Sequence, residues 1–362
     1  MTYTGEDKIY LWLDSFPLQE GEKYALLESA GSPRQLLKNL REIFPKTVKS
    51  QQESVYNSML SSLCDGGQYY QKVVSLLEEK GIRAIPLSSP LYPPSLKTAS
   101  RPPLVLYCLG DVSLLKTPSF AIVGSRITPD KTMVLSRNIA KELSSFYTLV
   151  TGVADGGDRS CVEGALLGSG KVICITAGGL DSLPKPGTIF KEVVKKGLIV
   201  APKPMGIPVR NFSYEYRNEL LACLAFGGLV VSGEEKSGAL ITAKHLKIQD
   251  KPIFSIPYPP QFPAGRGCNA LLKNGGILTE ESADILRHFG IDAKEEEEKS
   301  LPPLSEQESK VVDLLKQEME LPIAVIGVKT GLPIYKLNSV VTSLEVKGVI
   351  IKTGGNQISL RR

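Results

Sequence analysis

Three short, unbroken apolar runs, Phe120 to Val123, Thr148 to Thr151 and Val172 to Ile175, alternate with segments whose apolar residues recur every three to four positions. Runs without polar alternation predict strands buried on both faces, the condition of a parallel sheet. Gly197 to Ala201, Gly228 to Ser232 and Ile253 to Ile256 continue the series. Helices are predicted over Thr188 to Lys196, Tyr214 to Phe226 and Ala239 to Ile248. Strand and helix alternate from about residue 117 to 290, so the predicted fold is α/β, an open doubly wound parallel sheet. Ligands of such sheets lie beyond the carboxyl ends of the strands.

The flanks carry other patterns. Residues 1–85 are predicted helical, with a stripe of Ile9, Leu11, Leu13 and Phe16, then two helices split at Gly31 with Pro33 in a first turn. Two short helices joined at a glycine suit a SAM-like or helix-hairpin-helix module, and equally a packing appendage. Gln71 to Lys80 adds a helix, and Ile82 to Ile85 and Leu104 to Leu109 are predicted strands. Between those strands Pro93, Pro94, Pro102 and Pro103 fix a strap-like path. Residues 291–300, IDAKEEEEKS, are predicted to be a solvated acidic linker.

The tail, residues 301–362, is a separate unit. Ser305 to Glu308 is a capping box that opens the first of three helices, and a hairpin follows. That is the winged helix-turn-helix order, and such domains bind duplex DNA or protein. Tyr335, Lys336, Asn338 and Ser339 open the third helix, and Lys352, Arg361 and Arg362 flank the wing. The predicted division is 1–85 helical, 86–290 sheet domain, 291–300 linker and 301–362 winged helix.

Composition narrows the classes. With 42% hydrophobic and 22% charged residues, the 362-residue chain is an ordinary globular one, large enough for two or three cores. A net charge of +5 permits a polyanionic partner without requiring one. No apolar run is long enough to span a membrane, and MTYTGEDKIYLW lacks the basic start of a signal peptide, so a cytoplasmic location is expected. Cys64, Cys108, Cys161, Cys174, Cys223 and Cys268 form no CxxC pair and are expected to be reduced core thiols. The two histidines have no partner at ligand spacing, so no metal is expected.

Glycine-bearing turns after strands carry the candidate chemistry. Gly124-Ser125-Arg126 follows the first central strand; glycine admits close backbone approach, and the guanidinium grips phosphate. Gly152 to Asp158 (GVADGGD) follows the second, with Asp158 suited to the positive end of a helix. Asp155 and Glu163 nearby would repel a phosphate. Arg217 and Asn218 lie near a helix start, and Ser237-Gly238 opens another helix with Thr242 one turn in. Each turn alone is also an ordinary structural turn, but several on one sheet point to anion binding. There is no GxxxxGK[ST], which excludes P-loop chemistry, and no GxGxxG with a ribose-binding acid. No nucleophile–base set can be assembled, so no catalytic residue and no cofactor are expected and the chain reads as a binder rather than an enzyme.

The ordered motifs resemble the DprA family, also called Smf, the DNA-processing proteins of bacterial transformation. The resemblance runs through YPPSL (Tyr92 to Leu96), PPLVLYCLGD (Pro102 to Asp111), IVGSR (Ile122 to Arg126), TGVADGGDRSCVEGAL (Thr151 to Leu166) and KVICITAGGLD (Lys171 to Asp181). It continues through YRNELLA (Tyr216 to Ala222), EKSGALITA (Glu235 to Ala243) and GRGCNALLKNGG (Gly265 to Gly276). It implies an extended Rossmann-like domain that binds and protects single-stranded DNA, loads the recombinase RecA, and dimerises through this domain. Carried over by motif, the DNA contacts would be Gly124, Ser125, Arg126, Lys171, Arg217, Asn218, Ser237, Gly238 and Thr242, with Gly152 in the second glycine turn.

The chain departs from the family pattern where Thr151, Asp155, Val162 and Glu163 replace serine, arginine, histidine and arginine, and where Glu219 stands for a further arginine. Fewer cations imply weaker or rearranged strand binding. A second reading is a small-nucleotide enzyme of the lysine-decarboxylase-like phosphoribohydrolase group. ADGGDRSCVE lacks the proline and threonine of that group's PGGxGTxxE signature, although Glu163 falls near its acid.

Overall fold

The computed structural model describes residues 3–48, 52–183, 188–291, 304–318, 320–353 and 357–360. The chain divides into two compact units, Met1–Gly290 and Ile291–Arg362. The acidic run expected as a linker and Arg361 and Arg362 of the expected wing lie outside the described residues.

The first unit is built on a nine-stranded sheet. Its strands are β1 (Arg83–Pro86), β2 (Val105–Gly110), β3 (Ser119–Gly124), β4 (Thr148–Thr151), β5 (Val172–Ile175), β6 (Leu198–Ala201), β7 (Gly228–Ser232), β8 (Ile253–Ser255) and β9 (Ile277–Leu278), in the spatial order β1-β2-β6-β5-β4-β3-β7-β8-β9. From β6 to β9 every pairing is parallel. The expected parallel sheet carries an antiparallel edge: β2 runs antiparallel to β6, and β1 antiparallel to β2. Successive strands move outward from β3 to β4, β5 and β6, then jump back to β7 beside β3. The order therefore reverses between β3 and β7, the position where open α/β sheets hold ligands.

The central strands are buried along their length, as their apolar runs require. Helices α6 (Asp130–Leu143), α7 (Gly157–Leu167), α8 (Thr188–Lys196), α9 (Asn211–Leu224), α10 (Gly238–Ile248), α11 (Arg266–Lys273) and α12 (Ser282–His288) connect or follow them. Phe120, Phe226, Phe254 and Phe289 pack as an aromatic group around the start of β3. No helix of the described residues is long and apolar enough to cross a membrane.

Five helices precede the sheet: α1 (Gly5–Asp14), α2 (Glu20–Ala30), α3 (Pro33–Thr47), α4 (Glu53–Cys64) and α5 (Gln68–Glu79). They are joined to it by buried polar contacts. Asp14, fully buried, accepts from the Lys23 ammonium at 2.6 Å and from the Tyr107 hydroxyl of β2 at 2.8 Å. Tyr24 donates to the carbonyl of Pro102 in the strap, and Ser88 to Asp7. Burial lowers the affinity of Lys23 for its proton, but Asp14 and Glu20 outweigh it and hold the pKa above the ordinary lysine value.

The second unit contains α13 (Glu306–Glu318), β10 (Glu320–Pro322), α14 (Ile323–Thr330), α15 (Ile334–Val346), β11 (Ile350–Thr353) and β12 (Gln357–Leu360), with sheet order β10-β12-β11. The strand β10, unforeseen in the sequence, adds a third member to the hairpin. Its core joins Val311, Leu315, Ile326, Leu337, Val341, Leu344 and Ile358. Glu308 ties this unit together. Its carboxylate accepts from the backbone N–H of Ser305 at 2.7 Å, the Ser343 hydroxyl at 2.7 Å and the Lys347 ammonium at 2.8 Å. These donors, Lys347 foremost, lower its pKa to about 2.

Two outcomes follow from these contacts. Asp14→Ala leaves the buried Lys23 ammonium with Glu20 alone and the Tyr107 hydroxyl without its acceptor, and is expected to cost about 3–5 kcal/mol, read from urea unfolding; a loss below about 1 kcal/mol would show the pair to be idle. The Glu308 pKa is depressed from 4.5 to about 2, so its stabilisation is complete above the higher value and disappears as pH falls through the lower. Hydrogen-exchange protection of α13 should be greater in the parent than in Glu308→Gln at neutral pH, and the two should converge near pH 2.

Candidate nucleic-acid interface

The glycine turns meet at the reversal between β3 and β7. Val123 and Gly124 end β3, and the Ser125 N–H donates both to the carbonyl of Ser232 at 3.1 Å and to its hydroxyl at 3.0 Å. Thr128 hydroxyl donates to the Ser125 carbonyl, and the Ser125 hydroxyl accepts from the Ile127 N–H. This turn leaves the Arg126 side chain exposed, with its guanidinium 5.5 Å from the centre of the Tyr214 ring on α9. A cation over an aromatic face is attracted by the ring quadrupole and still keeps its donors free for an anion.

Behind this rim lies a buried ion pair. Arg217 of α9 and Asp158 of α7 are 7% and 3% exposed, and their charged ends are 3.7 Å apart. Asp158 also accepts from the Gly124 N–H at 3.3 Å. Arg217 donates through Nε to Asn218 Oδ1 at 2.8 Å, and Asn218 Nδ2 donates to the Gly238 carbonyl at 3.0 Å. One chain of contacts thus runs from the end of β3, through α7 and α9, to the start of α10. Burial raises the Asp158 pKa, while Arg217 and the N–H groups of Gly124 and Ala154 pull it back.

The glycines make room for this arrangement. A methyl built at Gly152 would overlap the Arg217 guanidinium and the Asp158 carboxylate. A methyl at Gly124 would sit 2.7 Å from the Gly157 Cα, so β3 and the start of α7 approach glycine against glycine.

The structure separates the sequence-derived candidates into three groups. Gly124, Ser125, Arg126, Ser237 and Gly238 stand at the carboxyl rim, with Arg126 and Gly238 exposed. Gly152, Arg217, Asn218 and Thr242 are buried immediately behind it. Arg217 and Asn218 direct their polar ends to Asp158 and the Gly238 carbonyl, so in this structure they hold the rim in position. Among the described residues the buried hydroxyls of Ser237 and Thr242 have no hydrogen-bond partner. Lys171 stands apart from the other candidates. It precedes β5, so it lies at the amino rim, about 13 Å away along a four-residue strand.

The acids are accounted for in the same geometry. Glu163 accepts from Arg137 at 2.6 Å and Arg159 at 3.0 Å. Exposed Asp155 makes only a 3.5 Å pair with Arg159. Glu219 holds the strap, taking the Ser100 N–H at 2.6 Å and its hydroxyl at 3.0 Å. Sequence reasoning missed Tyr214 and Ser232; the signal for the first was an aromatic residue opening the helix that carries Arg217. Among the described residues no group of three His, Cys, Asp or Glu side chains is placed to hold a metal.

An open, mostly parallel sheet whose strand order reverses beside two glycine turns defines a doubly wound α/β protein. Residues 83–290 match the family described as DNA recombination-mediator protein A, and the chain belongs to that family, DprA/Smf. Protein Smf of Synechocystis sp. is 31% identical over 220 residues, 59% of this chain and 55% of that protein, so the chain spans about half the length of that relative. DNA processing protein DprA of Bacillus subtilis is 30% identical over 229 residues, 61% of this chain and 77% of the relative. The structure of DNA processing protein A from Streptococcus pneumoniae matches the fold with a TM-score of 0.65 at 23% identity, covering 79% of this chain and 98% of that one. The Helicobacter pylori protein, described for its single-stranded DNA binding mode, matches with a TM-score of 0.51 at 26% identity, covering 57% and 95%.

Gly152→Ala is expected to destabilise the fold by about 2–4 kcal/mol, because the added methyl must displace a buried ion pair. Urea unfolding measures this, and an alanine variant as stable as the parent would remove the packing role assigned to that glycine.

Proposed function

We propose that the first unit binds single-stranded DNA along the rim between β3 and β7, protects it and delivers it to the recombinase RecA, acting as a homodimer through the sheet domain. The observation that carries the reading is the exposed Arg126, held over Tyr214 beside the glycine backbone of Gly124 and the opening of α10. A guanidinium with free donors suits a phosphate, an aromatic ring suits a base, and neither selects sequence strongly. Gly238 adds a backbone amide at the start of an 11-residue helix, while the Ser237 N–H is held by the Glu234 carbonyl at 2.9 Å. Family membership supports DNA recombination mediation, and the Helicobacter pylori relative supports the single strand as ligand. The role is one of holding rather than cutting, since the buried acid of the site is committed to Arg217.

We read the second unit as a winged helix, on its order of helix, strand, helix, helix and hairpin. Tyr335, Lys336, Asn338 and Ser339 are exposed on the first turns of α15, as a recognition surface requires.

Anisotropy titrations with a labelled oligonucleotide test the first proposal. Arg126→Ala should weaken binding and flatten the slope of log K against log salt by about 0.7 for each phosphate no longer neutralised. Unchanged affinity in that variant, or parent binding indifferent to salt, defeats the proposal.

A further inference from the structure

Two adjoining clefts lie where the β6–α9 loop faces the turn into α2, with cavity volumes of about 320 and about 290 Å³. Both are lined by Glu20, Lys203 and Phe212; Leu18 and Arg210 line the first, and Tyr216 the second. Such volumes suit a small-molecule group. Lys203 is only 8% exposed, and among the described residues it makes no hydrogen bond or ion pair. The Phe212 ring lies 5.4 Å from its ammonium. Glu20 is half spent: one carboxylate oxygen accepts from Lys23 at 3.2 Å, and the other is buried with no hydrogen-bond partner among the described residues. The cleft thus presents a buried cationic donor and a buried acceptor that do not pair with each other. A buried polar atom without a partner is costly, so a ligand that satisfies the Glu20 oxygen is favoured, and the Lys203 ammonium offers a donor beside it.

We infer that this cleft takes the keto–imino edge of a nucleobase, thymine or guanine, with its ring against Phe212. In these bases a carbonyl oxygen sits next to a ring N–H. The carbonyl accepts from Lys203, and the N–H donates to the free oxygen of Glu20. Cytosine and adenine carry the reverse order, an amine beside a bare ring nitrogen. That order sets donor against Lys203 and acceptor against Glu20. Arg210 is a cation beside the cleft for the attached phosphate. Phe212 and Tyr214, the ring under Arg126, share the first turn of α9, so the cleft and the proposed strand path lie at the same end of that helix. The inference deepens the strand-binding reading and rests on it for a base that arrives as part of DNA. A free nucleotide presents the same edge.

The experiment pairs oligomers of thymidine and deoxycytidine of equal length, at one salt concentration, with calorimetric titration of thymidine and deoxycytidine monophosphates. Thymidine is expected to be preferred about tenfold, within the range of one well-matched base contact. Lys203→Met and Glu20→Gln should each bring the preference close to one. Blocking the imino position, with N3-methylthymidine monophosphate, should do the same in the unaltered protein, where folding is not in question. A preference in the oligomers assigns the base to a DNA strand; a preference confined to mononucleotides assigns it to a free nucleotide. Equal binding of the two bases in both forms, or a preference that survives N3-methylation, overturns the inference. Loss of all oligomer binding would instead remove the strand-binding reading, and the mononucleotide titration still decides the base edge.

Discussion

The buried contact between Asp158 and Arg217 is the constraint to which the rest of the rim conforms. Two charges removed from water must be close, well ordered and further hydrogen-bonded to be tolerated. Here the carboxylate takes the Gly124 N–H and the guanidinium takes Asn218, so each charge has neutral partners as well as its counter-ion. The glycine pattern follows from that need. Gly152 is the imprint of a guanidinium, and Gly124 and Gly157 are the imprint of a strand end and a helix start in contact. Glycines that look like room for a ligand are here room for the protein's own charged interior. The exposed rim at Arg126 is what this interior holds in place.

This changes how the acidic departures from the family pattern bear on DNA. Glu163 was expected to oppose a phosphate, yet two arginines neutralise it on the flank of α7. Glu219 stands one residue beyond Asn218 but faces the strap, where it fixes Ser100. Neither is a free anion in the groove. Exposed Asp155 retains that potential, because its partner is distant and both are open to water, where such pairs contribute little.

Much of the architecture was legible because buried parallel strands advertise themselves. The runs at Thr148 to Thr151 and Val172 to Ile175 coincide with β4 and β5. Helix α9 begins at Asn211 rather than Tyr214, since Ser213 accepts the Arg210 N–H and starts the turn earlier. The antiparallel edge could not be read, because a short apolar strand has the same pattern whichever way its neighbour runs. The buried pair was also hidden: Asp158 looked like a helix-end acid and Arg217 like a phosphate contact, and only their shared burial reveals the partnership. Lys171 is different. A residue that precedes a parallel strand belongs to the amino rim, and that much was already in the sequence.

One helix joins all these features. The first turn of α9 supplies Phe212 to the cleft and Tyr214 to Arg126. Its second turn supplies Arg217 and Asn218 to the buried chain, and Tyr216 and Glu219 reach the strap through Arg101 and Ser100. Closely packed interiors do not deform smoothly, so α9 must keep a single position to satisfy all of these contacts. The N-terminal helices add to that restraint, because Asp14 anchors them to β2 and they close one side of the cleft. The helical region is therefore more than an appendage to the sheet. It helps shape the cleft beside the first turn of α9.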